Sequence, residues 1–316
     1  MRKYSAASKP TMYFIGVTTT KSSIMNVFPK WAEHLGLGDV EIKGIDFKIH
    51  DKPEHYREAV RFIKQDPQSR GALVTTHKMD LLKSCRDQFG HLDEHAELMH
   101  EISSISKQGT QLIGHAKDPI TSGLSLEAFL PADHWEQTGA EALILGAGGS
   151  GIALSWHLAR KGNTRHRPSR LIVTNRSEGR MNEMKAIHEK MGLGIPVTYH
   201  VTGSDPAAND DILQSLQPGS LVVNATGLGK DAPGSPLTDR ACFPKDGLVW
   251  DFNYRGELVF LDQARAQQAE KDLLIEDGWI YFLHGWTRVI AEVFHIDIPT
   301  SGPVFDELSR IAAATR

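Results

Sequence analysis

The stretch Ala142-Leu-Ile-Leu-Gly-Ala-Gly-Gly-Ser-Gly151 decides the fold of this chain. Its first four residues form an apolar run typical of a buried strand, and Ile152 to Arg160 continues as an amphipathic helix. Between them, Gly146 permits a tight turn, Gly148 lets backbone N–H groups approach a pyrophosphate, and Gly151 lets helix and strand pack closely. Because a helix N-terminus also favours negative charge, the stretch predicts a dinucleotide site.

The end of the next predicted strand, Arg170–Thr174, indicates which dinucleotide is bound. In NAD sites an Asp or Glu at this point binds the ribose 2′-OH. This chain has Asn175-Arg176-Ser177 there, with Arg180 one turn further on. Guanidinium and hydroxyl groups suit a 2′-phosphate, which a carboxylate would repel, so the pattern favours NADP. The alternative is that both arginines are solvated residues at the start of a helix.

Length and composition are those of a globular protein with two domains. The chain has 316 residues, of which 40% are hydrophobic and 23% charged, and its formal net charge is −4. No basic stripe argues for nucleic acid. No apolar run is long enough to cross a bilayer, and the first ten residues lack the apolar core of a signal peptide. Cys85 and Cys242 are expected to be free thiols, which favours a cytoplasmic location.

Strands and helices alternate between about residues 140 and 278, as in a doubly wound parallel sheet. Its six predicted strands are Ala142–Leu145, Arg170–Thr174, Pro196–Val201, Ser220–Thr226, Gly247–Phe252 and Asp272–Glu276. The strands predicted before it are Met12–Val17, Val40–Phe47, Gly71–Thr75 and Gln111–Gly114. The helices are Ser23–Leu35 and Glu54–Gln65, and the second has one apolar stripe at Tyr56, Ala59, Val60 and Ile63 that predicts a core-facing side. We therefore predict a substrate-binding domain from residues 1–120 with returning helices in 279–316. Residues 121–278 would form the nucleotide-binding domain, with the catalytic cleft between the two.

Two residues outside the nucleotide domain are candidates for proton transfer. Lys78 ends Thr75-Thr-His-Lys78 after one predicted strand, and Asp118 ends His115-Ala-Lys-Asp118 after another. A partly shielded lysine with a carboxylate nearby can exchange a proton with an alcohol that becomes a ketone. The spacing alone leaves open that both are ordinary solvated residues.

Seven short motifs, in order along nearly the whole chain, resemble those of the shikimate/quinate dehydrogenase family. Thr75–Lys78 resembles T-V-P-H-K, and Leu112–Asp118 resembles L-x-G-x-N-T-D. The other five are Gly146–Gly151 for G-A-G-G-A-[AG], Asn175–Ser177 for the NADP signature N-R-[TS], Asn224–Gly229 for N-A-T-P-x-G, Asp251–Tyr254 for D-x-x-Y, and Asp277-Gly278 for D-G. The resemblance implies an α/β fold with an N-terminal substrate-binding domain and a C-terminal Rossmann-type doubly wound parallel sheet.

The resemblance also implies a role for each matching position. Lys78 would be the general acid/base, and Asp118 would orient it and bind a hydroxyl. The substrate-binding residues would be Ser22, Thr75, Ser103, Tyr254 and His284. The NADP-binding residues would be Gly146, Ala147, Gly148, Gly149, Ser150, Gly151, Asn175, Arg176, Ser177, Arg180, Asn224, Ala225, Thr226 and Gly278. No metal is expected, and each histidine has the alternative of a purely structural role.

Departures from the family pattern cluster where the resemblance places shikimate. Ile24 stands at the second serine of S-x-S-P, Ser103 at the asparagine of A-V-N-T, and Ala116 at the asparagine of N-T-D. Pro119 replaces the glycine after the aspartate, and Gly285 replaces the glutamine of the closing helix. Each unpaired buried polar group of a ligand costs about 1–3 kcal/mol, so we expect an altered substrate pocket.

The resulting hypothesis is an NADP-dependent dehydrogenase that interconverts a ketone and a secondary alcohol on a hydroxylated alicyclic acid. The resemblance implies 3-dehydroshikimate and shikimate, or a close analogue. One alternative is a quinate or other cyclitol dehydrogenase with the same machinery. An alternative of another class is a non-catalytic NADP-binding sensor. The expected partner is a small-molecule substrate, without nucleic acid or membrane, and the chain is expected to be a monomer or a homodimer.

Overall fold

The computed structural model describes residues 4–161, 167–230 and 232–315. They form two compact units, the first from the chain before residue 118 and after residue 282, the second from residues 118–282. The borders predicted from sequence were 120/121 and 278/279. The structure divides the chain elsewhere because one helix begins at Asp118 and another runs across residue 282. No helix in these described ranges is long and apolar enough to cross a membrane.

The first unit is built on a six-stranded mixed sheet in the order β2-β1-β3-β5-β6-β4. Its elements before residue 118 are β1 Thr11–Gly16, α1 Ile24–His34, β2 Glu41–Asp46, α2 Pro53–Gln65, β3 Ser69–Val74, α3 Lys78–Cys85, β4 His91–Leu92, α4 Glu94–Met99, β5 Ser104–Gln108 and β6 Gln111–His115. Strand β5 runs antiparallel between β3 and β6, whereas β1 pairs in parallel with β2 and β3. The apolar stripe predicted on α2 is buried in the core, at Tyr56, Ala59, Val60 and Ile63.

The second unit is an open sheet of six parallel strands in the order β9-β8-β7-β10-β11-β12. Its elements are α5 Asp118–Glu127, α6 His134–Thr138, β7 Ala142–Leu145, α7 Gly149–Ala159, β8 Leu171–Asn175, α8 Glu178–Met191, β9 Val197–Val201, α9 Ala207–Gln214, β10 Leu221–Asn224, β11 Leu248–Asp251, α10 Val259–Arg265, α11 Gln268–Lys271 and β12 Leu274–Glu276. Strands β7, β10 and β11 are buried throughout, as expected for strands covered on both faces. The predicted α/β fold class with a doubly wound parallel sheet is confirmed.

Two helices complete the chain, α12 Trp279–Phe294 and α13 Pro303–Ala313. The aromatic-rich segment Trp279–His284 forms the start of α12, which continues for ten more residues. In the first unit, the indole N–H of Trp31 on α1 donates to the carbonyl of Leu308 on α13 at 2.8 Å. This buried bond ties the C-terminal helix α13 to the N-terminal helix α1, across 277 residues of sequence.

Candidate functional site

In the second unit, β7 and β10 lie side by side in the sheet. The strands that follow β7 extend the sheet on one side, and those that follow β10 extend it on the other. In open α/β sheets such a switch point leaves a crevice outside the carboxyl ends of the strands. The glycine loop 146–151 follows β7, and Asn224–Thr226 follows β10. The two predicted cofactor segments therefore lie at the same edge of the sheet, at the switch point.

Close backbone packing requires glycine at positions 146 and 151 of the loop but not at position 148. A Cβ on Gly146, whose φ is +114°, would lie 2.9 Å from the carbonyl oxygen of Ala225. A Cβ on Gly151 would lie 2.3 Å from the carbonyl oxygen of Gly146. A Cβ on Gly148 would meet nothing within 4 Å. The open space at Gly148, rather than any protein neighbour, fits the predicted approach of a pyrophosphate.

Helix α7 presents its first N–H groups at this loop. Gly148 is the N-cap, so no side chain caps the helix, and Gly149, Ser150 and Gly151 form its first turn. The first N–H groups of a helix lack intrahelical acceptors and carry the positive end of the helix dipole. This donor set fits a phosphate anion, and the residues present therefore suit the dinucleotide that the sequence predicts.

Asn175 joins the glycine loop to the segment that follows β8. Its side-chain oxygen accepts from the Ala147 N–H at 3.1 Å, and its amide nitrogen donates to the Ser177 carbonyl at 2.8 Å and to its hydroxyl at 3.3 Å. The predicted cofactor residue thus holds two cofactor segments together. The side chain of Arg176 between them is exposed, whereas that of Arg180 forms an ion pair of 2.7 Å with Glu183.

Buried polar side chains fix the loop after β10. The Asn224 side chain accepts from the Thr226 N–H at 3.0 Å and its hydroxyl at 2.6 Å, and donates to Asp251 at 3.1 Å. Asn253 donates to the carbonyl oxygens of Thr226 and Leu228 at 3.2 and 3.1 Å. Its own N–H bonds to Asp251 at 2.8 Å. The sequence motifs contained Asn224 and Asp251 separately and gave no sign that they bond to each other.

Asp251 at the centre of this network has an unusual ionisation. It is fully buried, and burial raises the pKa of its carboxyl to about 6 even though hydrogen bonds from Asn253 and Asn224 lower it. The ionised and the protonated forms of Asp251 are therefore both populated near pH 6. The loop that carries Thr226 is held by a group that is sensitive to mild acid.

Gly278 and Tyr254 lie in the same unit and pack against neighbours there. A Cβ on Gly278 would lie 2.0 Å from the Phe252 carbonyl oxygen, and the Gly278 N–H donates to the Asn253 carbonyl at 3.1 Å. The Tyr254 ring packs against those of Trp279 and Phe282, with ring centroids 5.5 and 4.9 Å apart. Cofactor binding by Gly278 and substrate binding by Tyr254 stay predictions.

In the first unit, Lys78 begins helix α3 just after a strained turn. Strand β3 ends at Val74, one residue before the predicted end at Thr75, and Lys78 is the first residue of the following helix. The His77 N–H bonds back to the Thr75 carbonyl at 2.5 Å, and Thr76 between them has φ +61°. This is a γ-turn geometry, costly for a β-branched residue and most often found at functional sites.

His77 is a structural residue of this turn. Its Nδ1 lies 3.0 Å from the Tyr56 hydroxyl, and burial lowers the pKa of the ring. The half-buried Thr75 donates its N–H to the Ile15 carbonyl at 2.9 Å, so the turn is anchored on β1 as well. Lys78 is itself half-buried and thus begins its helix from a rigidly held position.

The predicted substrate residue Ser22 follows a 3₁₀ turn at Thr19–Lys21. The Thr19 N–H and hydroxyl donate to the Asp46 carboxylate at 2.8 and 2.6 Å, which fixes this turn on β2. Ser22 is buried, and its N–H bonds to the Thr19 carbonyl at 3.0 Å. Ile24 is fully buried in the first turn of α1, so the second serine of the family pattern is replaced by a core residue.

Ser103 is buried, and its hydroxyl already has partners. It accepts from the Lys117 N–H at 2.7 Å and lies 3.4 Å from the His115 carbonyl oxygen. Its predicted role in substrate binding is untested. The hydroxyl nevertheless holds two of the three residues that precede Asp118 in the motif, His115 and Lys117.

A charged cluster that the sequence did not reveal surrounds this segment. The Lys117 ammonium lies 2.6 Å from Glu292 on α12, and the His115 ring lies 3.4 Å from Glu292 and 3.5 Å from Asp93. The Ser106 hydroxyl lies 2.9 Å from His115 Nε2. Burial raises the pKa of Asp93, but bonds from His115 and two backbone N–H groups outweigh it and bring the pKa below its usual value. Asp93 also caps α4, because its carboxylate accepts a hydrogen bond from the Ala96 N–H at 2.8 Å.

His284 and Asp118 complete the predicted site residues. His284 is 3% exposed and its ring stacks on Phe305 at 4.5 Å, and burial lowers its pKa to about 4. Among the described residues nothing hydrogen-bonds to its Nδ1. Asp118 is buried and begins α5 in the second unit, whereas Lys78 belongs to the first. That Asp118 orients Lys78 stays a prediction.

Several known proteins are similar to this chain in sequence. No family model matches the chain. The shikimate dehydrogenase (NADP(+)) of Streptococcus gordonii is 30% identical over 177 residues, which are 56% of this chain and 57% of that protein. The protein of the same name from Rhodopseudomonas palustris is 26% identical over 285 residues, 90% of each chain. The match to the first of these spans less than two thirds of its length.

Several solved structures are similar to this chain in fold. Shikimate 5-dehydrogenase from Thermus thermophilus, in complex with NADP(H) and shikimate, has a TM-score of 0.69 at 20% identity, covering 97% of this chain and 99% of that one. Quinate dehydrogenase from Corynebacterium glutamicum in complex with NAD has 0.70 at 19%, with the same coverage. The 5-ketofructose reductase of a Gluconobacter species has 0.67 at 17%, covering 97% and 98%. The predicted resemblance to the shikimate/quinate dehydrogenase family is confirmed in sequence and in fold.

Proposed function

We propose that this chain is an NADP-dependent dehydrogenase that interconverts a ketone and a secondary alcohol on a hydroxylated alicyclic acid, shikimate or a close analogue. The observation that carries the proposal is the half-buried Lys78, which heads α3 behind the strained turn at Thr76. A rigid, partly shielded ammonium group suits proton transfer better than a mobile surface lysine. The names of the relatives support the same activity.

The second unit would hold the cofactor. The uncapped start of α7 and the open space at Gly148 suit the pyrophosphate. Exposed Arg176 suits the 2′-phosphate of NADP, and the loop at Thr226 is held ready by Asn224. When bound, NADP accepts or supplies the hydride.

Lys78 would move the proton. When the alcohol is oxidised, a neutral Lys78 Nζ would take up its hydroxyl proton. In the reverse direction, the Lys78 ammonium gives a proton to the carbonyl oxygen. Asp118 would accept a hydrogen bond from a neighbouring hydroxyl and so hold the reacting carbon in register.

The pocket would differ from that of a typical shikimate dehydrogenase. Ile24 leaves Ser22 as the one serine of that pair, and Ser103 replaces a longer amide, with its hydroxyl already engaged by the Lys117 N–H. Ser22, Thr75, Ser103 and Tyr254 are still proposed to line the substrate. His284 joins them because a buried Nδ1 without a protein partner among the described residues costs free energy unless a ligand satisfies it.

The test is a substrate screen. Initial rates are followed by the absorbance of reduced nicotinamide, with NADP+ and NAD+ against shikimate, quinate and other cyclitols. Turnover that prefers NADP+ and a hydroxylated ring acid supports the proposal. Preference for quinate or another cyclitol favours the related dehydrogenase. NADPH binding without turnover of any of these compounds favours a non-catalytic sensor and overturns the proposal.

A cytoplasmic location and a monomeric or homodimeric state belong to the same proposal. Both rest on the sequence, through its two thiols and its ordinary surface composition. Size-exclusion chromatography with light scattering measures the oligomeric state directly.

A further inference from the structure

The segment that precedes β5 lies beside Lys78. Strands β3 and β5 pair antiparallel from Gly71 with Ser106 to Leu73 with Ser104. The pairing continues past the strand ends, because the Val74 N–H bonds to the Ser103 carbonyl at 2.9 Å. After the turn at Thr76, the Ile102 N–H bonds to the Lys78 carbonyl at 3.3 Å. Glu101 immediately precedes Ile102, so its backbone adjoins that of Lys78.

Glu101 is an unusual residue to find there. Its side chain is 1% exposed, and both carboxylate oxygens are buried. An ionised carboxylate in such a place is costly unless a cation lies close to it. Lys78 carries a positive charge on the segment bonded to this one. Alanine occupies the corresponding position in the A-V-N-T motif of the family that this chain resembles, so the carboxylate is a further departure of this chain.

We propose that Glu101 is a positioning residue for Lys78, whose carboxylate holds the lysine ammonium in place and favours its protonated form. The inference rests on the proposed function and deepens it. A carboxylate beside the ammonium keeps Lys78 charged at neutral pH, ready to protonate a carbonyl oxygen. Glu101 thus favours ketone reduction, and alcohol oxidation requires a higher pH to release the Lys78 proton.

The adjoining segments carry other titratable groups. His77 is bonded to the Tyr56 hydroxyl and kept neutral by burial, and Asp80 on α3 is ion-paired with His50 at 2.8 Å. Lys117, on the far side of Ser103, is ion-paired with Glu292. His100 precedes Glu101 in a left-handed backbone conformation at the end of α4. Of these groups, Glu101 is the carboxylate that immediately precedes Ile102, the residue whose N–H bonds to the Lys78 carbonyl.

The experiment measures the ionisation of Lys78 without turnover. The cofactor-free protein is labelled with acetic anhydride over a range of pH, and acetylation of Lys78 is followed by peptide mass spectrometry, with exposed Lys30 as internal reference. Glu101→Gln should move the midpoint of the Lys78 labelling curve to lower pH by about one unit or more. The matched control Glu94→Gln, whose side chain is 88% exposed, should leave that midpoint in place. Coincident curves for wild type and Glu101→Gln overturn the proposal.

Turnover gives a second readout. In Glu101→Gln the rising limb of the pH profile for alcohol oxidation should move to lower pH, and Glu101→Asp should restore most of the wild-type profile. A merely structural role would lower the rate without moving the limb. If labelling shifts while no substrate turns over in the wild type, the Glu101–Lys78 relation stands and the proposed enzyme activity falls.

A third variant covers the case in which Glu101→Gln does not fold. Lys78→Gln leaves the buried carboxylate without its cation, so the pKa of Glu101 should rise in the folded state. A raised folded-state pKa means that stability is lost as pH increases. Urea unfolding should therefore show that Lys78→Gln loses stability relative to wild type between about pH 4 and pH 7. A pH-independent difference overturns the proposal.

Discussion

Gly151 and Gly148 lie three residues apart in the glycine loop, and alanine at each should have opposite consequences. At Gly151 the new Cβ would lie 2.3 Å from the Gly146 carbonyl oxygen, whereas ordinary contact begins at 3.4 Å. Helix α7 must therefore move about 1 Å away from the loop, since the obstructing atom belongs to the backbone. At Gly148 the Cβ meets nothing within 4 Å, and the backbone, with φ −82° and ψ 178°, suits alanine.

The magnitudes follow from those geometries. Overpacking of this kind costs about 1–3 kcal/mol or more, and the better helix propensity of alanine returns up to about 1 kcal/mol. We expect Gly151→Ala to lose about 2 kcal/mol, or about 4–8 °C in Tm. Gly148→Ala should lose at most about 1 kcal/mol, as the N-cap of α7. Its Cβ fills the space proposed for the pyrophosphate, so NADPH affinity should fall about tenfold or more.

The assay pairs urea unfolding of the cofactor-free proteins with NADPH titration followed by fluorescence. Gly285→Ala is the matched control, because its Cβ also meets nothing within 4 Å and it lies on α12 in the first unit, whereas the glycine loop belongs to the second. That variant should gain up to about 1 kcal/mol from helix propensity and bind NADPH as wild type does. Wild-type stability in Gly151→Ala, or wild-type NADPH affinity in Gly148→Ala, would refute the reasoning.

Three further predictions concern the charged groups. Lys78→Ala should reduce turnover about 10²–10⁴-fold with NADPH affinity nearly unchanged, and full turnover in that variant would exclude proton transfer by this residue. Arg176→Ala should weaken NADPH about tenfold more than NADH, and Arg180→Ala should do so less because its guanidinium is already paired with Glu183, as competitive titrations would show. Burial raises the pKa of Asp251 from 3.8 to about 6, so the folded state binds more protons between these values and loses stability as pH rises through them. Relative to Asp251→Asn, wild type should lose up to about 3 kcal/mol in urea unfolding between pH 4 and pH 7, and parallel stability curves would disprove the assignment.

The elements that could be predicted from the sequence are those with a strong local pattern. The apolar run Ala142–Leu145 and the glycines after it predicted β7, the loop and α7, and the stripe on α2 predicted a buried helix face. Strand β5 was missed because Ser104-Ile-Ser-Lys-Gln108 has little apolar character. It is a strand because β3 and β6 lie on either side of it, and its buried Ser106 bonds to His115.

The candidate site likewise has a part that could be predicted from the sequence and a part that could not. The sequence by itself determined the glycine loop between β7 and α7 and made Lys78 a candidate for proton transfer, because each depends on a few adjacent residues whose chemistry is visible in order. Only the tertiary structure decided that Asn224 bonds to Asp251, that Lys117 pairs with Glu292, and that Glu101 is buried one residue away from a backbone bond to Lys78. Those partners lie up to 175 residues apart. Hydrogen bonds and ion pairs between such groups form only where the sheet and helices bring the groups together. Local sequence periodicity does not predict which distant residues will meet.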